Sequence, residues 1–131
     1  MKLTRSLLCI TVLLTIACNN SNSPASEFRT GMWGGPNVGL SVEATGVTFL
    51  FDCAGGNVEG TIPLTDGRFD VTGTFADGGN ARGVDHTPRA ARYTGRILGN
   101  HLTFTRILLD GSRPDANFSA DFGAAPQVVA C

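Results

Sequence analysis

Three tight-turn signals, each flanked by alternating apolar residues, restrict this chain more than any other feature. Asp66-Gly67 is a strong two-residue hairpin signal. It predicts Thr65 opposite Arg68, then Leu64 opposite Phe69, Ile62 opposite Val71 and Gly60 opposite Gly73. Thr45-Gly46 predicts Val42 opposite Phe49 and Leu40 opposite Phe51. Gly99-Asn100 predicts Ile97 opposite Leu102 and Gly95 opposite Phe104. In each hairpin the apolar partners share a face, and a one-residue slip would send them to opposite faces.

Beyond Phe28 the chain shows almost no helical periodicity. Short alternating runs, broken by glycine-rich turns, imply an all-β domain. The runs are Val38–Glu43, Val47–Cys53, Val58–Leu64, Phe69–Phe75, Arg92–Leu98, His101–Leu109 and Asn117–Phe122, with edge pieces at Met32–Gly34 and Pro126–Ala130. We expect a small antiparallel meander barrel of about seven or eight strands, because closure removes exposed strand edges. A two-sheet β-sandwich is the alternative.

The expected inward set is Val38, Leu40, Val42, Val47, Phe49, Phe51, Val58, Ile62, Phe69, Val71, Phe75, Tyr93, Ile97, Leu102, Phe104, Phe118 and Phe122. Gly60, Gly73 and Gly95 are expected to make room for facing phenylalanines. Trp33, the only tryptophan, is expected to plug one end of the barrel.

The N-terminus has the grammar of a secretory signal. Lys2 and Arg5 precede an apolar run from Leu7 to Ile16, and the small residue Ala17 follows. That run is shorter than the roughly 20 residues a membrane-spanning helix needs. Residues 1–17 are therefore expected to be removed. The tetrapeptide Thr15-Ile16-Ala17-Cys18 resembles a bacterial lipobox, departing from it at Thr15 where leucine is usual. The resemblance implies lipidation of Cys18 and, with Asn19 following, outer-membrane sorting. Residues 18–28, polar and rich in Asn and Ser, read as a flexible tether to a single domain at 29–131. Simple secretion or a soluble periplasmic form is the alternative.

Cys53 and Cys131 remain as an even pair in an oxidising compartment, and are expected to form a disulfide. Loss of the leader takes Lys2 and Arg5 with it and leaves eight arginines against eleven acidic residues. That balance argues against nucleic acid as a partner.

The landmarks Trp33-Gly34-Gly35, Phe51-Asp52-Cys53-Ala54 with Gly56, Gly67-x-Phe69, Val71-x-Gly73, Ala91-Arg92-Tyr93-x-Gly95 and the final Cys131 span nearly the whole domain. Together they resemble a group of small bacterial secreted and lipoprotein β-domains without an assigned activity. The resemblance implies a fold and a location, not a mechanism. Pro36-Asn37 departs from its pattern, where a polar residue and then histidine are expected. A fainter likeness, through Ala91-Arg92-Tyr93-Thr94, is to the small lipoprotein barrels that inhibit lysozyme, although their further motif around a tryptophan is absent.

Catalysis is not expected. His86 and His101 are the only histidines, and no nucleophile-elbow context accompanies Ser41, Ser112 or Ser119. The acidic residues are scattered without metal-ligand spacing, so neither a metal nor a cofactor is expected. Candidate binding residues lie elsewhere. The loop from Ala76 to Ala90 carries Arg82, Asp85, His86 and Arg89, and long loops in compact domains are often functional. Arg92 and Arg96 alternate outward on the next strand. Arg106 falls opposite Tyr93 and is expected either to point inward or to turn out on a bulge. The expected protein is an envelope-anchored, non-enzymatic module that binds a protein or glycan partner or serves a structural role. Its alternative is a small-ligand carrier with a cavity inside the barrel.

Overall fold

The computed structural model describes residues 22–131. The leader at 1–17 and the lipidation site Cys18 lie outside the described residues. Eight strands follow in chain order: β1 (Gly31–Gly35), β2 (Val38–Glu43), β3 (Gly46–Phe51), β4 (Ala54–Glu59), β5 (Arg68–Asp77), β6 (Arg89–Leu98), β7 (His101–Leu108) and β8 (Ala116–Phe122). Each pairs antiparallel with the next, and β8 returns to β1 through Trp33↔Phe122 and Gly34↔Asp121. The sheet is a closed meander barrel, which sets aside the sandwich alternative. Closure satisfies the backbone groups that an open sheet leaves at its edges.

The turns decide register, and two of the three expected registers are corrected. Around Gly99-Asn100 the pairing is as expected: Ile97↔Leu102, Gly95↔Phe104 and Tyr93↔Arg106. In the β2–β3 hairpin the turn falls on Ala44-Thr45, one position earlier than expected. Leu40 therefore faces Phe49 and Val42 faces Val47. Around Asp66-Gly67, Thr65 does pair with Arg68, and both turn residues take positive φ, 53° and 71°. Beyond that bridge the expected strand Val58–Leu64 does not form. The partner of β5 is β4, with Asn57↔Thr74 and Gly56↔Phe75. Residues 60–64 leave the ladder, and the Gly60 N–H donates instead to Thr45 O. Ile62 stays buried in spite of this.

Two further turns were not anticipated. Asp52-Cys53 folds β3 onto β4, with Cys53 at φ 50°. Pro36-Asn37 joins β1 to β2: proline presets the first turn position, and Asn37 takes the left-handed second one at φ 60°.

Aromatic rings fill the barrel axis. Phe49 stacks on Tyr93 with centroids 4.2 Å apart, and Phe51 packs against Phe75, Phe104 and Phe118. Nearly all of the expected inward set is buried, although Val71, Phe118 and Phe122 are only partly so. Ala54, Ala91, Leu108 and Ala120 complete the core. The room-making role expected of glycine holds at Gly95, where a β-carbon would come within 2.7 Å of Phe69 and Phe104. It does not hold for Gly60, which faces open space, or for Gly73, which abuts Asn57 and Val58.

One end of the barrel, the near end, carries the Ala44-Thr45, Asp66-Gly67 and Gly99-Asn100 turns. Trp33 closes it from inside, packed edge-on against Phe28 and Phe122, with its indole N–H donating to Arg29 O. Part of the segment expected to be a free tether is bound here. Pro24 bridges to Leu98, Ala25 N donates to Ile97 O, and Gly99 N donates to Ser23 O. Phe28 packs on the core, so from Ser23 onward the chain belongs to the barrel.

Candidate functional site

The other end, the far rim, carries the longest connection. The loop between β5 and β6 spans Gly78–Pro88, shorter than the expected Ala76–Ala90, because β5 and β6 extend the ladder to Phe75↔Arg89. The connection after β7, the Asp52-Cys53 turn and the C-terminal segment lie at the same end.

The C-terminal segment forms a strap across one side of this rim. Gln127 N donates to Gly35 O, Asn37 N to Gln127 O, Cys53 N to Val129 O, and Val129 N to the Asp52 carboxylate. The Cys53–Cys131 disulfide, with α-carbons 5.1 Å apart, ties it down as expected.

Across the rim, Asp77 is gripped by two arginines, Arg89 from β6 and Arg113 from the loop after β7. Arg89 also donates to Ser112 Oγ at 2.6 Å and lies 3.9 Å from Asp110. Asp77, mostly buried, is thus the hub of an ionic lattice joining three segments distant in sequence. In the sequence Asp77 is one more charge within the Ala76–Ala90 loop, and nothing marks Arg113 or Asp110 as its partners. The only available signal was Asp110-Gly-Ser-Arg-Pro-Asp115, whose composition marks a turn and does not name a partner.

Within the Gly78–Pro88 loop, His86 holds the backbone together. Its Nδ1 lies 2.9 Å from Asp77 O and its Nε2 2.8 Å from Ala81 O. Gly78 permits this closure, since a β-carbon there would meet Val84 and the imidazole at under 3.0 Å. Asp85 bonds Thr87 through its backbone N–H and hydroxyl, and the hydroxyl bond holds the exposed Asp85 carboxyl below its ordinary range. Asp85 is therefore committed to Thr87, and the imidazole lies between two carbonyl oxygens, to one of which a neutral ring donates. Arg82 is exposed at the loop tip, without a side-chain partner among the described residues. Asp77, Val84, Asp85, Thr87, Arg89 and Arg113 line a depression of about 420 Å³.

The other candidates are dispersed. Arg92 and Arg96 do point outward, but Arg92 is paired with Asp70, its Nε donating at 2.8 Å. That bond lowers the Asp70 carboxyl and raises the arginine. Arg96 lies in a shallow outer groove of about 560 Å³ with Thr94, Thr103, Thr105, Asn117 and Ser119. His101 pairs with Asp121 at the exposed near end. Among the described residues no cluster of three or more His, Cys, Asp or Glu is placed to hold a metal.

Arg106 points inward, which resolves the two expectations held for it. It is the buried charged residue of the core, only 7% exposed. Its guanidinium carbon lies 4.5 Å from the centre of the Phe75 ring, 5.6 Å from Phe51 and 5.9 Å from Phe118. Its Nε is buried without a hydrogen-bond partner among the described residues. Burial depresses its pKa, and Asp77 and Asp115 oppose that effect from a distance. Arg106↔Ala116 is the last rung of the β7–β8 ladder, so this side chain sits just under the far rim.

Neither the models of protein families, nor the characterised proteins, nor the solved structures with which the chain was compared match it.

Proposed function

We propose that this chain is an envelope-anchored lipoprotein whose barrel is a non-enzymatic binding module, presenting the far rim to a protein or glycan partner. The observation that carries this reading is directional. Ser23–Ala25 are bonded to the Ile97–Gly99 end of β6, so an anchor at Cys18 would emerge at the near end. The Gly78–Pro88 loop, the ionic lattice and the strap then face away from the membrane. Two or more acyl chains on Cys18 would supply stable attachment. The Cys53–Cys131 bridge suits an oxidising compartment, as does the resemblance to small secreted and lipoprotein domains.

The filled axis favours a rim over an enclosed cargo. Ligand cavities of the usual kind occupy a few hundred Å³, and here that space holds Phe49, Phe51, Phe75, Tyr93, Phe104 and Phe118.

The reading has two tests. Mass spectrometry of the mature N-terminus should find an acylated Cys18, and Cys18→Ser should move the protein from membranes to the soluble fraction. An unmodified N-terminus elsewhere would refute the anchor. A photo-crosslinking residue at Arg82 should capture an envelope component that the same residue at Thr45 does not. Equal capture from both ends, or none from Arg82, would refute the rim.

A further inference from the structure

We propose that the far rim receives a single carboxylate group and that Arg106 is the residue that takes it. The inference rests on the rim being the binding face, and it adds the chemistry of what binds there.

Charge pairing leads to it. Around the mouth, Asp77 and Asp110 are shared between Arg89 and Arg113, two acids against two bases. That lattice is closed within itself. Arg106 lies beneath it, with no acid within ion-pairing distance among the described residues. A buried, unpaired charge is expensive, and its three aromatic neighbours, at 4.5–5.9 Å, offset only part of that cost. The unpartnered atom also matters. Nε–H together with one Nη–H forms the edge of the guanidinium that accepts a carboxylate in a bidentate fork. In Arg106 that edge has no partner at Nε among the described residues.

Position puts the group at the last rung below the rim, where opening the Arg113–Asp77 pair would expose it. β8 ends its pairing at Ala116, and the chain between Leu108 and Ala116 is loop rather than ladder. The lid over Arg106 on this side is therefore an exposed turn and the Arg113–Asp77 ion pair. A guest carboxylate entering here meets Arg113 first and Arg106 beneath it. Singly charged groups are favoured over phosphate, because Asp77, Asp85, Asp110 and Asp115 ring the entrance and Arg106 is the one buried arginine beneath it left to neutralise, Arg82 being exposed at the loop tip.

The Arg106 Nε–H itself is the reporter, observed by NMR in the full chain in detergent. Titration with acetate, against chloride at equal ionic strength, should give a saturable shift of this resonance. Inorganic phosphate should act at least about tenfold more weakly. A blocked peptide bearing one Asp should reproduce the shift and its Asn counterpart should not. Tighter binding of the peptide than of acetate would identify the source as an acidic side chain of a partner, and equal binding would identify a small free acid. Arg106→Met lacks the reporter and is read by its backbone amides: those of Arg113 and Asp115 should lose the saturable acetate shift they show in the parent, while the variant melts no lower than the parent, since an apolar side chain replaces an unpaired buried charge. Asp77→Asn, which removes the most buried rim carboxylate, should tighten acetate binding severalfold. The proposal is overturned if the unmodified protein gives no saturable Nε–H shift, or if Asp77→Asn weakens acetate. It is equally overturned if Arg106→Met melts well below the parent and acetate does not raise the melting temperature of the parent, which would make Arg106 a purely structural cation over Phe75. Because the acetate titration needs no crosslinked partner, it can fail while the rim reading stands, and the reverse.

Discussion

Replacing Gly56 by alanine probes one of the tightest approaches in the barrel, and the one made by a core side chain. Gly56 faces inward on β4, between Phe49 on β3 and Phe75 on β5. A β-carbon there would overlap the Tyr93 hydroxyl and stand 2.9 Å from Thr74 O. The hydroxyl cannot retreat without losing its 2.7 Å bond to Thr74 O, and its ring is stacked 4.2 Å from Phe49. The substitution therefore combines overpacking, about 1–3 kcal/mol, with loss of a hydrogen bond of about 1 kcal/mol. We expect Gly56→Ala to destabilise by about 3 kcal/mol and Tyr93→Phe by about 1 kcal/mol. The double variant tests the cause. Removing the hydroxyl relieves the overlap but not the approach to Thr74, so the pair should cost about 2.5 kcal/mol rather than their sum of about 4 kcal/mol. Urea unfolding at matched m-value measures all three. Additivity within half a kcal/mol would refute the claim that glycine at 56 exists to admit the tyrosine.

Other consequences are equally direct. Replacing Cys53 and Cys131 together by alanine should cost about 4.5 kcal/mol on the chain-entropy account, and should open amide exchange at Val129 and Cys53, where the strap is bonded; an unchanged urea midpoint would refute this. Tyr93, the only tyrosine, is held protonated well above the usual phenol range because burial disfavours the phenolate. Its stabilising effect is complete below the unfolded value of about 10 and is lost as pH climbs from there toward the folded value. Phenolate absorbance should thus appear together with unfolding, and its appearance in the native protein near pH 10 would contradict the burial argument. His86→Ala should expose Gly78–Pro88 to limited proteolysis while strand amides keep their protection, and a parent-like cleavage rate would show that the histidine does not hold the loop.

Legibility in the sequence followed side-chain periodicity. The barrel class, the core phenylalanines and the β6–β7 register could be read because alternation marks which face is buried. The β2–β3 register and the course of 60–64 could not, since the corrected pairings keep the same residues inward. β4 escaped altogether. Ala54-Gly55-Gly56-Asn57-Val58-Glu59 offers glycines where the face would be read, and glycine usually signals a turn. The candidate site was legible only as a loop with charges. Arg82, Asp85, His86 and Arg89 do lie on the far rim or in its loop, but Arg92 and Arg96 lie on the outer wall, and the centre of the rim lattice is Asp77 with Arg113.

The three turns that opened the sequence thus decided, unaided, that the chain is antiparallel β with its aromatic residues on one face. Period-two alternation carries that much information and no more, because a slip of two residues leaves every face unchanged. The final register came from tertiary structure. Cys53 and Asn37 had to adopt left-handed turns, Gly56 had to meet Tyr93, and the ring had to close through Trp33 and Phe122. Closure also brought Asp77, Arg89 and Arg113 to one rim and left Arg106 beneath them without an acid of its own among the described residues. Charge neutralisation across a barrel mouth depends on distance in space, which alternation along the chain does not encode.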